Sequence, residues 1–198
     1  MKPAWRAAVG VSLATFLGVF VLANAPVRGV GNQQFVTALT PLLDGPSGNT
    51  VGSVRPGAAL DVAEQSGSAT HITVHGWTTP KAAGTLYSAP DKHIIELTGL
   101  KARGTPGSTQ TVGGTVYTAV SVDGWMASSM LVADMQPAWT AAASLYQQKC
   151  STCHSLPAVD SNATDDWPDI MQTWAPSANL DAAQTALLTA YLQTQSAH

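Results

Sequence analysis

Apolar and polar positions follow three different rhythms along this chain. From Ala7 to Ala25 no charge interrupts a run that contains Leu13, Phe16, Leu17, Val19, Phe20, Val21 and Leu22, and Lys2 and Arg6 stand before it. At ~1.5 Å per residue such a run just covers the ~30 Å hydrocarbon core of a bilayer, so it predicts a transmembrane helix. Ala23-Asn24-Ala25 also has the small-x-small form of a signal-peptide cut. Pro26 would follow that cut, and the run is longer than the usual signal core of about 7–15 residues. The favoured reading is an anchor over 1–28, with a cleaved signal peptide as the alternative. In both cases Lys2 and Arg6 stay in the cytoplasm and the rest is exported.

Residues 29–135 change rhythm. Short β-branched runs are separated by Gly, Pro, Asn, Asp and Ser, which predicts an all-β module. Val51–Val54 reads as a strand entering the turn Arg55-Pro56-Gly57. Ala59–Glu64 alternates apolar and polar, and Gln65–Ser68 is a second turn. His71–Trp77, His93–Leu97 and Thr115–Val122 read as further strands. Ile72–Trp77 is weakly echoed by Val120–Trp125. Residues 36–77 resemble bacterial SH3-like domains through Val51-Gly52, Arg55-Pro56-Gly57, Leu60, Val62, Gly67 and Val74-His75-Gly76-Trp77. The resemblance implies a docking module, with the remainder either a second copy or more strands of one barrel. Trp77 and Trp125 read as core or barrel-end residues. His71, His75 and His93 read as ordinary strand residues, because none has metal-ligand spacing to a partner.

From residue 136 the period becomes helical. Trp139, Ala142, Ala143, Tyr146 and Cys150 recur at three- and four-residue steps. Asp165-Asp166-Trp167-Pro168 reads as a helix start, followed by Ile170, Met171 and Trp174 on one face. Asp181-Ala182-Ala183-Gln184 has the spacing of a capping box, and Leu187, Leu188, Tyr191 and Leu192 form the stripe of a terminal helix. That stripe is expected to cross the first helix near Leu145 and Tyr146. The fold class expected overall is multidomain. It comprises an N-terminal transmembrane helix, an all-β SH3-like barrel over 29–135 and a small all-α class I-like cytochrome c domain over 136–198.

Composition sharpens this picture. Only 11% of the 198 residues are charged and the net charge is −3, which speaks against a coiled coil and a nucleic-acid partner. Residues 134–198 hold six acids and one base, Lys149, whereas the preceding part holds eight bases and six acids. The acidic C-terminal part is therefore expected to meet a basic partner surface.

The two cysteines stand together as Cys150-Ser151-Thr152-Cys153-His154. C-x-x-C-H is the signature of c-type haem attachment. Two thiols add across the two vinyl groups of the porphyrin, and two intervening residues match their separation. The next residue, His154, then binds iron as proximal ligand. With no other cysteine, at most one covalent haem is expected. A structural zinc site would need four ligands, and none with suitable spacing accompanies the pair. A thioredoxin-type dithiol would want a βαβ context, which is lacking. Met171 is the sole methionine after the motif and the preferred sixth ligand. A methionine ligand raises the potential and closes the iron, which suits electron transfer. His198, Met126, Met130 and Met135 are its competitors, and a packing role for Met171 is the plain alternative.

From Trp125 onward the chain resembles the C-terminal monohaem part of TorC-type membrane cytochromes, which serve periplasmic N-oxide and S-oxide reductases. The matching residues are Gly124-Trp125, Leu145-Tyr146, the Cys150–His154 motif, Leu156-Pro157, Trp167-Pro168 and Leu187–Gln193. Two departures stand out. A NapC-type tetrahaem domain is lacking, and the family's methionine lies one helical turn further on, where this chain has Trp174.

The expected function is a membrane-anchored periplasmic cytochrome that moves single electrons in a respiratory chain. It would carry one covalent haem c on Cys150, Cys153, His154 and Met171. Its expected partners are a membrane donor upstream and a basic acceptor downstream, with no nucleic acid and no small-molecule substrate. The resemblance implies a molybdenum N- or S-oxide reductase as acceptor. The alternative is a haem-bearing wire subunit of a larger membrane complex. A haem sensor or enzyme would need an open sixth position, and no acid–base or nucleophile constellation surrounds the motif.

Overall fold

The computed structural model describes residues 33–101, 104–152 and 155–196. Among these, ten strands precede three α-helices. The strands are β1 (Gln33–Val36), β2 (Thr40–Leu43), β3 (Thr50–Val54), β4 (Ala59–Ser66), β5 (Ala69–Thr78), β6 (Leu86–Ala89), β7 (Lys92–Thr98), β8 (Thr105–Val112), β9 (Thr115–Ala127) and β10 (Leu131–Val132). The helices are α1 (Gln136–Cys150), α2 (Trp167–Trp174) and α3 (Ala182–Gln195).

The strands form one antiparallel sheet in the order β10-β1-β4-β5-β6-β7-β3-β2-β9-β8. Because β9 also pairs with β5, six strands close on themselves as β5-β6-β7-β3-β2-β9. Alternation decides which side chains enter that ring. Ile72 and Val74 of β5 point in with Leu60, Leu97, Val122 and Met126, all buried. His71, Thr73 and His75 lie on the opposite face, half-buried. Where β2 is drawn onto β9, Leu43 opposite Trp125, a β-carbon on Gly124 would lie 2.6 Å from Leu42 Cδ1. Only glycine admits so close an approach.

The two echoing segments are antiparallel partners of one another, with Ile72 opposite Gly124 and Trp77 opposite Ala119. They are not equivalent strands of two copies. Nor do residues 36–77 close by themselves, since β3 needs β7 (Val54 opposite Leu97) and β2 needs β9.

The expected fold class is therefore corrected. The described chain is mainly sheet, and no small all-α class I-like cytochrome c domain forms. The three helices span 15, 8 and 14 residues, and the described residues between Cys150 and Trp167, 151–152 and 155–166, are turns, bends and irregular backbone. They gather one apolar cluster of their own and rest on the sheet as a second layer. Three joints make that layer. The indole of Trp139 in α1 rests on Gly57, which has φ +80° and where a β-carbon would come within 2.7 Å of the ring. His93 Nδ1 lies 2.8 Å from Asp165 Oδ2. The third joint is the packing of α3 against β7. The expected transmembrane helix is not part of the fold seen. Its residues, 7–25, lie outside the described residues, and no described helix is long and apolar enough to cross a membrane.

Candidate functional site around Cys150

The site begins with α1. Asp134 Oδ1 accepts from the Gln136 N–H at 2.9 Å and Pro137 occupies the first turn, so two of the free amides of a helix start are accounted for. Lys149 lies in the last turn, where its charge suits the negative end of the helix dipole. One face of α1 is buried, through Ala142, Tyr146 and Cys150 at successive four-residue steps. That face joins Trp167 and Met171 of α2 and Leu188 and Leu192 of α3 in one apolar cluster. α1 and α3 thus pack on each other, with the rings of Trp139 and Tyr191 6.1 Å apart.

Cys150 enters this cluster from the end of α1 and is buried. Burial pushes its thiol pKa up. Reactive or metal-binding thiolates show the opposite shift. Cys153 and His154 lie outside the described residues. Up to that point the chain is guided by the Thr152 hydroxyl, which donates to the Lys149 carbonyl at 3.0 Å.

Beyond the motif the chain is held by Tyr146, whose hydroxyl donates to the Pro157 carbonyl at 2.9 Å. Burial pushes the Tyr146 phenol up to about 12, with smaller contributions from Cys150 and Tyr191. A phenol that ionises near 10 when unfolded and near 12 when folded gives stability that is full below pH 10. That stability falls as pH rises from 10 to 12, because the unfolded chain releases the proton first. Tyr146→Phe should flatten this alkaline fall in a pH series of thermal melts, at a cost of about 1 kcal/mol for the lost hydrogen bond at neutral pH. An unchanged alkaline limb in the variant would contradict this.

α2 carries Met171. Pro168 occupies its first turn, as expected, but Asp166 does not cap the helix with its side chain. The Asp166 carboxylate instead accepts weakly from the Ala163 N–H at 3.3 Å. Met171 and Trp167 are fully buried, and Ile170 and Trp174 pack on the same cluster. The Trp167 Nε1–H donates to Ser196 Oγ at 2.6 Å, and its ring meets Trp174 edge-on with centroids 6.5 Å apart. α3 begins with the expected capping box. Asp181 Oδ1 accepts from the Gln184 N–H at 2.8 Å, and Gln184 Oε1 accepts from the Asp181 N–H at 3.1 Å.

The competing ligands are sorted by position. Met126 is fully buried in the sheet core, which shares no member with the cluster of Cys150. Met130 sits in a short 3₁₀ turn and Met135 precedes α1. His198 lies outside the described residues. Among the described candidates, only Met171 shares an apolar cluster with Cys150. The strand histidines have other partners. His71 packs on Trp125 at 5.0 Å, His75 lies 3.0 Å from Asp61 Oδ2 and 2.9 Å from Ser121 Oγ, and His93 lies between Asp165 and Tyr117. Among the described residues no three His, Cys, Asp or Glu side chains gather as a metal cage. Spacing gave no sign of Ser196 beneath Trp167 or of the Tyr146–Pro157 tie, because both join segments that meet only in the folded chain.

Taken together, the residues fit a covalently held haem. One cysteine sulfur and one methionine sulfur lie in the same apolar cluster, and the chain beyond the motif is tied back to α1. Among known proteins, the chain is similar to "Cytochrome c-type protein TorC" of Escherichia coli O157:H7 and of Escherichia coli strain K12. It is 26% identical to each over 150 residues, covering 72% of this chain and 38% of theirs. It therefore spans well under half the length of these curated relatives. No family model matches, and no solved structure matches. This weak similarity supports a relationship to TorC-like cytochromes.

Proposed function

We propose that this chain is a c-type cytochrome carrying electrons one at a time within a respiratory chain. The observation that carries the reading is the placement of Cys150. It is the first cysteine of a lone C-x-x-C-H, and it is buried in one apolar cluster with Met171. The similarity to cytochrome c-type proteins supports haem c. In this reading Cys150 and Cys153 would hold one haem through carbon–sulfur bonds, and His154 and Met171 would ligate its iron. Bound there, haem supplies a one-electron ferric/ferrous couple. Residues 136–198 carry the haem, residues 29–135 form the β part, and residues 1–28 anchor the chain in the cytoplasmic membrane with the rest in the periplasm.

The first test is a haem stain on a denaturing gel together with the optical spectrum of the full chain, matured in a host that attaches c-type haem. One haem per chain that survives denaturation is expected, and colourless protein would end the proposal. Met171 is tested by Met171→Leu. Leucine keeps the buried volume and should cost less than about 1.5 kcal/mol. The far-red sulfur–iron absorption band should nonetheless vanish and the reduction potential should fall. An unchanged spectrum would return Met171 to packing alone. Asp160, Asp165, Asp166, Asp169 and Asp181 give the helical part an acidic surface. Transfer to the physiological acceptor should therefore slow with rising ionic strength. A rate indifferent to salt would remove the basic acceptor surface from the reading.

A further inference from the structure

The turn Arg55-Pro56-Gly57 does more than reverse the chain between β3 and β4. Gly57 supports Trp139 of α1, as described above, and this sets the helices off from the end of the sheet. Between the sheet end and the outer flank of α2 and α3 lies an open cleft of about 780 Å³. It does not include Cys150 or Met171, and it uses the flank of α2 that carries Pro168 and Gln172, away from Met171. Its walls are largely apolar, among them Leu39, Ala175, Pro176 and Leu180. Leu39 is 48% exposed, one of two large apolar side chains left so open among the described residues.

Arg55 also lines this cleft and is half-buried. Its backbone is fixed, since its N–H donates to the Glu96 carbonyl at 3.1 Å and its own carbonyl accepts from Ala58 at 3.2 Å. Among the described residues no carboxylate lies within ion-pairing reach of its guanidinium. Burial lowers its pKa without a partner to oppose the shift. A guanidinium stays charged at neutral pH, and a partly desolvated charge without a counter-ion is costly. The other charge in the cleft, Asp169, is exposed at its rim and largely screened by solvent.

We propose that this cleft binds a small organic anion, its charged head on Arg55 and its apolar body along Leu39, Pro176 and Leu180. Small-ligand sites pair apolar walls with polar groups that fix orientation, and here Thr98, Gln172 and Thr185 also line the open cleft beside Arg55. Planar guanidinium donors suit a carboxylate, sulfonate or phosphate head. The site is separate from the cofactor cluster, and its test does not depend on the haem.

The test is calorimetric titration of the full chain with naphthalene-1-sulfonate, which has an anionic head and an apolar body. Inorganic sulfate supplies the head alone and 1-naphthalenemethanol the body alone. The sulfonate should bind at least about tenfold more tightly than either. Equal binding of sulfate would remove the apolar walls from the proposal, and equal binding of the alcohol would remove Arg55. Arg55→Gln should weaken the sulfonate about tenfold or more, and Arg55→Lys should recover it in part. If Arg55→Gln does not fold, Asp169→Asn and Ala182→Glu decide by sign, because both positions are exposed at the cleft. Removing the rim carboxylate should tighten binding two- to threefold, roughly, and adding one should weaken it similarly. The opposite signs, or no change on Arg55→Gln in a folded chain, would overturn the proposal.

Discussion

A Cys150→Ala chain, matured in a host competent for c-type haem attachment, is expected to give little stable holoprotein, and Cys153→Ala likewise. The size of the expected loss is what makes the experiment decisive. Cys150 contributes one buried sulfur to an apolar cluster. Deleting it without any haem involved removes little more than one methylene's worth of buried surface, roughly 1 kcal/mol. If Cys150 were a packing residue, the variant would fold with a melting point a few degrees lower, and neither protein would carry colour. If it holds haem, the variant retains one covalent bond at most and the haem stain collapses. Normal yield with a full stain from either variant would defeat the haem assignment at these residues. The raised pKa of the buried thiol adds a second reading of the same experiment. Cys150 in unloaded chain should react sluggishly with alkylating agents at neutral pH, as a buried protonated thiol does.

Trp167→Ala is expected to cost about 3–5 kcal/mol, which for a chain of this size lowers the melting point by roughly 6–20 °C. Trp167 is the largest fully buried side chain in the molecule's described part. Its indole fills the space between α2 and α3, and its N–H donates to Ser196 inside the cluster. Alanine leaves a cavity and removes the donor that Ser196 receives. Trp174→Ala is the internal comparison, because Trp174 is half-buried and packs at the margin of the same cluster. Its loss should cost distinctly less. Differential scanning calorimetry of the two variants checks this, and equal losses would show that the cluster is not centred on Trp167. Trp167→Phe should fall between, since it keeps most of the volume and loses the hydrogen bond.

The local elements were largely legible. Alternation marked β4, β5, β7 and β9, and the capping box at Asp181 and Gln184 formed as its spacing requires. The strands that escaped notice show why the rest was not. β8 is exposed at nearly every residue and begins Thr105-Pro106-Gly107, so no alternation announces it, and it is a strand because β9 supplies its hydrogen bonds. β2 contains Pro41 and carries one buried apolar anchor, Leu42, and it exists because β3 and β9 flank it. The expectation of a small all-α cytochrome domain is corrected for a related reason. Helical period shows that a segment has an apolar face but not what covers it, and here Trp139 and Asp165 turned to the sheet.

At the site, the candidate motif Cys150–His154 was readable because its residue types stand at short spacing, and Met171 because it is the sole methionine after the motif. The cleft of Arg55 was not, since its walls come from the β3–β4 turn, α2 and α3, separated by more than a hundred residues.

Chemistry and local form follow from the order of residues: one C-x-x-C-H motif, an uncharged N-terminal run, strands where alternation is strong and helices where caps and stripes agree. These depend on neighbours a few residues apart, whose distances are set by the backbone. Only the tertiary structure decided that the echoing strands β5 and β9 are partners, that the sheet closes through them, and that the helices lean on it. Those outcomes depend on which apolar faces meet across long stretches of chain, and no short-range pattern encodes that choice.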